Sequence, residues 1–513
     1  MKRLAILVIA LGFAIRLFCF QYTYIISPDG VLYIHQARAI YYGLSDSLIS
    51  VSRNFLSNYP IFIAGAYTIF RDWVIAAKVV SLFFGTLTLI PLYFLLRRFF
   101  DDKISILATL IFALTPVFID RSADAVRAPV FWFFSVLGLY LFVSQLDKRN
   151  RLYLLLSSLS FLMATWARAE AILFIIVSCL YMLLVKQERK LEKLVIFIMP
   201  AAITMSIAIF GAIGNMSDLN IFRYKQMLSY GSSAIERYEI VRGSLREFTD
   251  QSPDSPLKRF LLLARHLAWW VALGALLASM VETFFHPFFI VFIVGFKGIL
   301  KKIKEDQRIL YLSILTVCVF FFLYLVILII WEMYTRYMGI FVFPSFIFVG
   351  FGLEKIISFL RSRFNLKESI ALAVVCLLIL ACGLPKSLKP SQTDKRVFVE
   401  IAESIADREG NDEEILVVTS RESIRWISFY ANVNYEGAPF PEKNYDLDNI
   451  LGSSYEEFVR NLRKRGISYF LWEEKHWPKE SASYIERQNP GDFVKIGTWS
   501  HPDTGKLILF KVI

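Results

Sequence analysis

Long runs of apolar residues, separated by short charged stretches, dominate residues 1–385 of the chain. A helix needs about 20 apolar residues to cross the roughly 30 Å hydrocarbon core of a membrane. Eleven runs meet or approach that length: residues 4–20, 75–96, 104–119, 129–146, 152–167, 170–185, 194–213, 284–300, 309–331, 338–357 and 369–384. The pattern predicts a polytopic α-helical membrane protein of about 11 transmembrane helices.

The lysines and arginines between these runs predict an orientation. They cluster in residues 97–103, 148–151, 186–193, 297–308 and 355–367. Such stretches favour the cytoplasmic side. With Lys2 and Arg3, they predict a cytoplasmic N-terminus in the plasma (inner) membrane, and an odd number of spans then places the C-terminus outside. The net charge of +12 is therefore a topology signal. Its dispersal over separate loops argues against nucleic-acid binding.

Residues 260–281 are also apolar enough to span. Counting them as a span would move the basic stretch 297–308 to the outer side. The sequence therefore favours a re-entrant or interfacial helix on the outer face, where Trp269 and Trp270 suit a membrane–water boundary.

The composition becomes charged and mixed after residue 385. This change predicts two domains: a membrane domain over 1–385 with functional outer loops, and a small extracytoplasmic soluble α/β domain over 386–513. In the second domain, strands are predicted at 414–418 and 467–472, amphipathic helices at 397–408 and 455–465, and a hairpin pairing 493–499 with 506–512. A polar outer segment over about 214–259, containing Pro253 and Pro256, is predicted to be a long loop with short helices.

A carboxylate opens an amphipathic segment just beyond the first apolar run. Asp29, Tyr33 and Ala37 are spaced by four residues and would share one face of a helix that Gly43 ends. One interpretation makes Asp29 an N-terminal helix cap. The other, which is compatible with the first, makes it a fixed functional carboxylate at the membrane surface.

The predicted second outer loop, around residues 120–129, carries four charges within eight residues. Arg121 is compatible with simple contact to lipid headgroups. Arg127 directly precedes the fourth apolar run, where a guanidinium can meet a lipid phosphate through two hydrogen bonds. Asp124 lies between them.

Two further charged clusters are predicted on the same side of the membrane. Arg168 and Glu170 lie in a very short turn between two runs, and Arg336 lies between two others. Ionisable residues in such places are functional candidates. The alternatives left open are a structural Arg168–Glu170 ion pair and an interfacial anchor at Arg336.

The order and spacing of these motifs resemble a known family. The series is Arg16, Asp29, Tyr33, Ala37, Gly43, Tyr59-Pro60, Arg127-Ala128-Pro129, residues 165–170 and Arg336-Tyr337 with Pro344. It is similar to the polytopic GT-C glycosyltransferases, and among them to the glycosyltransferase family 39-like group of protein O-mannosyltransferases and lipid A aminoarabinose transferases. The resemblance covers about residues 1–385.

The resemblance implies an activity and a site. Such enzymes transfer a sugar from a polyprenyl or dolichyl phosphate to an acceptor hydroxyl on the outer side, with inversion. Asp29 matches the general base, Arg127 and Arg336 match basic positions near the donor phosphate, and the supporting positions fall at Tyr33, Asp124, Arg168 and Glu170. Two positions depart from the pattern: Gly30 stands where a second carboxylate is common, and no basic residue adjoins Tyr59-Pro60.

Other functions stay open at this point. A transporter or flippase of polyprenyl-linked sugars, a non-catalytic binder of such lipids, and a polysaccharide polymerase or ligase would use the same carrier. Charges at the outer surface rather than at mid-membrane favour the transferase. The expected partners are a polyprenyl-phosphate sugar, a glycan, lipid or protein acceptor, and membrane lipids, without nucleic acid. The five histidines show no ligand spacing, so no metal and no cofactor is predicted, with divalent-metal dependence left open.

Overall fold

The computed structural model describes most of the chain: residues 2–52, 56–148, 150–185, 189–213, 230–252, 255–389, 392–410, 413–420, 423–439, 447–479, 482–486, 489 and 491–513. Arg149, Lys186, Pro253 and residues 214–229 of the predicted polar segment lie outside the described residues. In the described part of that segment, Tyr230–Gln251 is one helix of 22 residues, so the prediction of a loop with short helices is wrong there.

The chain folds into two compact units. The first consists of Met1–Cys19, Ser81–Ala123 and Arg127–Lys389, and the second of Phe20–Val80, Asp124–Val126 and Pro390–Ile513. The second unit thus combines the C-terminal residues with residues 20–80 and three residues from the 120–129 loop. The boundary at 385/386 and the division into two domains stay predictions.

Helices make up nearly all of the described chain before residue 389. Their bounds are Lys2–Tyr22, Pro28–Tyr41, Ser45–Ser52, Tyr59–Phe70, Trp73–Leu87, Leu89–Leu96, Asp102–Ala113, Pro116–Ala123, Ala128–Lys148, Arg151–Ala167, Ile172–Leu184, Lys190–Ile213, Tyr230–Gln251, Pro256–Phe284, His286–Gly295, Ile299–Glu305, Gln307–Ile330, Gly339–Ser345, Ile347–Phe364 and Glu368–Ser387. Short 3₁₀ turns at Ala169–Ala171 and Thr335–Tyr337 connect some of them.

Among the described residues, six helices are long and apolar enough to cross a membrane, and up to eight if each of two bent pairs counts as one span. The bends measure 57° between Asp102–Ala113 and Pro116–Ala123, and 50° between Gly339–Ser345 and Ile347–Phe364. Pro116 and Pro344 fit these breaks, because proline donates no backbone hydrogen bond. The membrane-protein class is confirmed, and the number of eleven spans stays a prediction.

Arg16 joins the two arms of the first bend. Its guanidinium is fully buried and donates to the carbonyls of Gly12 (3.0 Å) and Ala113 (3.2 Å) and to Ser122 Oγ (3.3 Å). Ala113 ends one arm and Ser122 lies in the other. This arginine of the sequence motif therefore satisfies a carbonyl at the bend, where the helical hydrogen-bond ladder is interrupted.

The re-entrant form predicted for 260–281 is wrong, whereas the alternative of an interfacial helix on the outer face stays a prediction. Pro256–Phe284 is one unbroken helix of 29 residues, about 43 Å long. The neighbouring predicted run, 284–300, is instead divided at the positive φ of Phe285 and again near Gly298. The resulting helix His286–Gly295 has 10 residues, about 15 Å, which is too short to cross.

The second unit contains a four-stranded sheet. Its strands are β1 Val417–Val418, β2 Tyr469–Glu473, β3 Phe493–His501 and β4 Gly505–Val512, in the order β1-β2-β4-β3. The β1–β2 pair is parallel and the other two pairs are antiparallel. The C-terminal helices are Arg396–Glu409, Ile424–Ala431, Leu447–Leu451, Tyr455–Lys464 and Ala482–Glu486, with a 3₁₀ turn at Thr393–Lys395.

The α/β character of the C-terminal region, its terminal hairpin and both amphipathic helices are confirmed. Phe458 of the helix Tyr455–Lys464 packs with Phe470 and Phe510 of the sheet in a buried apolar core. The sequence pattern did not predict the short helix Ile424–Ala431, in which seven of the eight residues are buried.

Candidate functional site

Asp29 is the second residue of helix Pro28–Tyr41, and it is half-buried. The N-cap is Ser27, so the interpretation of Asp29 as the cap residue is wrong. A carboxylate in the first turn of a helix is favoured by the positive end of the helix dipole. The predicted helix and its end at Gly43, which has a φ of +69°, are confirmed.

Asp124 fixes the start of this helix. Its Oδ1 accepts hydrogen bonds from the backbone N–H of Ser27 (2.9 Å) and of Ala125 (2.7 Å). One carboxylate oxygen therefore ties the Asp29 segment to residues 124–126 of the same unit.

The Asp124–Val126 segment also explains why Gly30 follows Asp29. A Cβ added to Gly30 would lie 2.6 Å from the carbonyl oxygen of Ala125 and 2.9 Å from its Cβ. Real Cβ atoms essentially never approach a neighbour this closely. A second carboxylate at position 30 does not fit this backbone, so the departure from the family pattern has a steric cause.

Tyr33 and Ala37 lie on the shared helix face that the spacing predicted, with 8% and 0% of their surfaces exposed. The prediction of an amphipathic segment is wrong, because residues 30–31 and 33–39 are all buried. The ring of Tyr33 meets that of Tyr59 edge to face, with centroids 5.4 Å apart. The hydroxyl of Tyr59 in turn donates to the carbonyl of Ala77 (2.8 Å). Helix Pro28–Tyr41 is thus packed against the Tyr59-Pro60 motif.

Lys78 is a buried cation that the sequence reasoning missed. Its Nζ donates to the carbonyls of Phe20 (2.6 Å) and Thr23 (3.0 Å), and the residue is only 6% exposed. It therefore holds the end of the first helix, near which the Asp29 segment begins. The available signal was its position as the single lysine of the apolar run 75–96.

The first unit gathers the other predicted residues around Arg168. This guanidinium is 5% exposed and donates to the carbonyl of Arg336 (2.8 Å) and to Glu170 Oε1 (3.3 Å). It also lies over the ring of Tyr337, 5.0 Å from the centroid. The structural Arg168–Glu170 ion pair that the sequence left open is present. Through the Arg336 carbonyl, Arg168 also anchors the Thr335–Tyr337 turn.

Arg127 belongs to the same cluster. Burial alone would raise the pKa of Glu170, but the positive charges of Arg168 and Arg127 lower it below its usual range. Glu170 is thus held as a carboxylate among arginines. Arg127 and Arg336 are both half-buried, and the guanidinium of Arg336 lies 4.7 Å from the ring centroid of Tyr334.

The site residues therefore fall into two groups. Asp29, Tyr33 and Asp124 come together in the second unit. The first unit holds the remainder: Arg127, Arg168, Glu170 and Arg336. The group in the first unit contains three arginines and one glutamate, and its net positive charge is of the kind that binds anions.

One group of possible metal ligands occurs among the described residues: Asp394, His501 and Asp503, with ligand atoms within 4.8 Å of one another. His501 Nδ1 accepts from the backbone N–H of Asp503 (3.2 Å), which leaves the proton of a neutral ring on Nε2. That proton points to Asp394 Oδ2 at 3.2 Å. The geometry favours hydrogen bonds over a metal, and the absence of a metal stays a prediction.

Comparison with known proteins gives a family model and a fold. Residues 58–212, a little under a third of the chain, match the model of the dolichyl-phosphate-mannose-protein mannosyltransferase family. Comparison with curated proteins gives no significant match.

The fold matches solved structures over nearly the whole chain. ArnT from Cupriavidus metallidurans bound to undecaprenyl phosphate has a TM-score of 0.59 and 10% identity, over 99% of this chain and 98% of that one. The oligosaccharyltransferase AglB from Archaeoglobus fulgidus, in complex with an inhibitory peptide and a dolichol-phosphate, has a TM-score of 0.53 and 12% identity, over 99% and 74%. The chain thus has the GT-C fold of an integral membrane protein, as its motifs predicted.

Proposed function

We propose that this protein is a glycosyltransferase that moves a sugar from a polyprenyl or dolichyl phosphate to an acceptor hydroxyl, with inversion. The observation that carries the proposal is the cluster of three arginines around Glu170, on a fold shared with proteins solved with polyprenyl phosphates. A departing lipid phosphate carries negative charge, and arginine stabilises such charge through paired hydrogen bonds.

The arginines divide between two tasks. Arg168 is almost fully buried and is engaged with Glu170 and with the Arg336 carbonyl, so it supports the cluster. Arg127 and Arg336 are half-buried and therefore remain within reach of a ligand. We assign these two to the donor phosphate.

Asp29 is assigned the role of general base. An inverting transfer needs one group that takes the proton of the acceptor hydroxyl as the oxygen attacks. Asp29 is held at a rigid helix start by Asp124 and by the close approach of Gly30 to Ala125, and it stays partly exposed. A fixed and accessible carboxylate meets the geometric requirement for a base.

The decisive experiment is Asp29→Asn in purified protein supplied with radiolabelled polyprenyl-phosphate sugars. Asparagine preserves the size of the side chain and cannot take the proton, so transfer should fall roughly 100-fold or more while binding of polyprenyl phosphate persists. Asp46→Asn is a matched control, because Asp46 is also the second residue of a helix, Ser45–Ser52. It should leave transfer unchanged.

Transfer by folded Asp29→Asn within a few-fold of wild type would refute the assignment of the base. The same assay separates the alternatives. A flippase would move labelled lipid across a vesicle membrane without forming a product. A polymerase or ligase would consume a lipid-linked glycan instead of a lipid-linked single sugar. Because the fold also matches the oligosaccharyltransferase AglB, lipid-linked glycans should be tested as donors as well.

We further propose that the protein lies in the plasma (inner) membrane with a cytoplasmic N-terminus and an extracytoplasmic C-terminal domain. The basic stretches support this orientation. Reporter tags at residues 148–151 and 301–306 should be cytoplasmic, and a tag after Ile513 external. A cytoplasmic C-terminal tag would contradict the proposal. No cofactor is assigned.

A further inference from the structure

Ile26, three residues before Asp29, is held by two side chains from the C-terminal part of the same unit. Trp426 Nε1 donates to the carbonyl of Ile26 (2.8 Å), and the N–H of Ile26 donates to the hydroxyl oxygen of Tyr430 (3.2 Å). All three residues are buried, with 6%, 1% and 8% of the surface of Trp426, Ile26 and Tyr430 exposed. We call Trp426 and Tyr430 the Ile26 clamp.

The clamp residues are spaced by four on helix Ile424–Ala431, so they share one face. Trp426 is itself fixed, because its ring stacks on Phe398 with centroids 5.6 Å apart. The Phe429 ring packs edge to face against His35 of the Asp29 helix, with centroids 5.9 Å apart. Buried hydrogen bonds of this kind cannot be replaced by water without opening the packing.

Little freedom remains between the clamp and Asp29. The N–H of Ser27 is bound by Asp124, and Pro28 restricts its own φ. The N–H of Gly30 donates back to the carbonyl of Ser27 at 2.8 Å, closing the first turn. A shift at Ile26 is therefore transmitted to Asp29.

The far end of the Asp29 helix is attached to the same region. The guanidinium of Arg38 is fully buried and donates to the carbonyls of Asn432 (3.0 Å), Gly437 (2.6 Å) and Tyr435. The segment 426–437 thus holds both ends of helix Pro28–Tyr41, although it lies about 400 residues further along the chain.

We propose that the C-terminal region sets the position of the general base, with Trp426 and Tyr430 as its positioning residues. The inference rests on the proposed function of Asp29. Trp426 and Tyr430 touch neither donor nor acceptor in this role. They align the Asp29 carboxylate with the acceptor hydroxyl by fixing the backbone at Ile26, and a misplacement of about 1 Å costs on the order of 100-fold in rate.

The test uses Trp426→Phe and Tyr430→Phe in the full-length protein. Each change removes one hydrogen bond to Ile26 and keeps an aromatic ring. We expect kcat for transfer from radiolabelled polyprenyl-phosphate sugar to fall about tenfold or more, with binding of polyprenyl phosphate and its KM little changed. Tyr455→Phe is the control, because it removes a hydroxyl contact to Asp492 (3.2 Å) in the same C-terminal region. It should leave kcat unchanged.

A double-mutant cycle separates positioning from general destabilisation. In the Asp29→Asn background, either clamp variant should cause no further loss, because the group that it positions is already inactive. An equal loss in both backgrounds, or full kcat in both clamp variants, would overturn the inference. Full activity of Asp29→Asn alone would instead overturn the proposed function.

The pH dependence of kcat/KM gives a second measurement where Asp29→Asn activity is too low to follow. Displacement of the base changes its surroundings, so the acid limb of the profile should shift in Trp426→Phe. Thermal unfolding in detergent establishes that each variant is folded. A folded variant with lower kcat and an unmoved acid limb would assign the clamp to structure alone.

Discussion

Replacement of Gly30 by alanine tests how tightly residues 124–126 hold the Asp29 helix. The new methyl group would lie 2.6 Å from the Ala125 carbonyl oxygen, so the two segments must separate by about 0.4 Å to reach even 3.0 Å. Overpacking of this kind typically costs about 1–3 kcal/mol. Because alanine also improves helix propensity by about 1 kcal/mol, the net change in unfolding free energy should lie between near zero and a loss of about 2 kcal/mol.

Gly65 provides the matched control in the same unit. It lies inside helix Tyr59–Phe70, and a Cβ there would meet nothing within 4 Å. Gly65→Ala should therefore keep the propensity gain of about 1 kcal/mol without the steric cost. The difference between the two variants isolates the collision with Ala125.

Both variants can be compared by thermal unfolding in detergent and by transfer from radiolabelled polyprenyl-phosphate sugar. Gly30→Ala should unfold at a lower temperature than Gly65→Ala, and it should lose activity several-fold because its methyl group displaces the neighbouring Asp29. Equal unfolding temperatures, with Gly30→Ala fully active, would refute the close approach as a constraint on the site.

Three further predictions concern other buried or clustered residues. Burial, aided by Arg38, lowers the pKa of His35 well below its usual range, and both ring nitrogens lack partners among the described residues. The stability that the folded protein has with a neutral His35 should therefore be complete above about pH 6.5, the pKa of histidine in the unfolded chain, and should be lost as the pH falls below that value. His35→Leu removes this titrating group and should flatten the pH dependence of the unfolding temperature. Arg168→Lys replaces the two guanidinium nitrogens that hold Glu170 and the Arg336 carbonyl by a single ammonium, so the unfolding temperature should fall, and an unchanged value would contradict the anchoring role. Arg127→Lys and Arg336→Lys should weaken binding of polyprenyl phosphate, measured by titration, because a point charge cannot make the paired hydrogen bonds; unchanged binding in both would assign them to structure.

The sequence alone determined the elements that depend on local pattern. Apolar runs of sufficient length predicted the membrane helices, and the spacing of Asp29, Tyr33 and Ala37 predicted one face of a helix that Gly43 ends. Alternation and amphipathicity predicted the C-terminal hairpin and its two helices. These features could be predicted because burial and backbone geometry leave a periodic trace in neighbouring residues.

Local pattern is misleading where two neighbouring apolar stretches compete. Residues 256–284 and 284–300 are both apolar, and loop charge favoured the second as the span. The structure has the first as one continuous helix, whereas breaks at Phe285 and near Gly298 confine the second to the short helix His286–Gly295. Hydropathy measures how apolar a stretch is, but the continuity of a helix depends on single backbone positions.

Only the tertiary structure decided how the site is held. Asp124 binds the N–H of Ser27, Gly30 meets the backbone of Ala125, and Trp426 reaches Ile26 across 400 positions of sequence. None of these contacts has a period or a spacing in the chain. They arise when segments that are distant in the chain pack against one another. A single sequence therefore identifies candidate site residues, but it does not show which distant residues hold them in place.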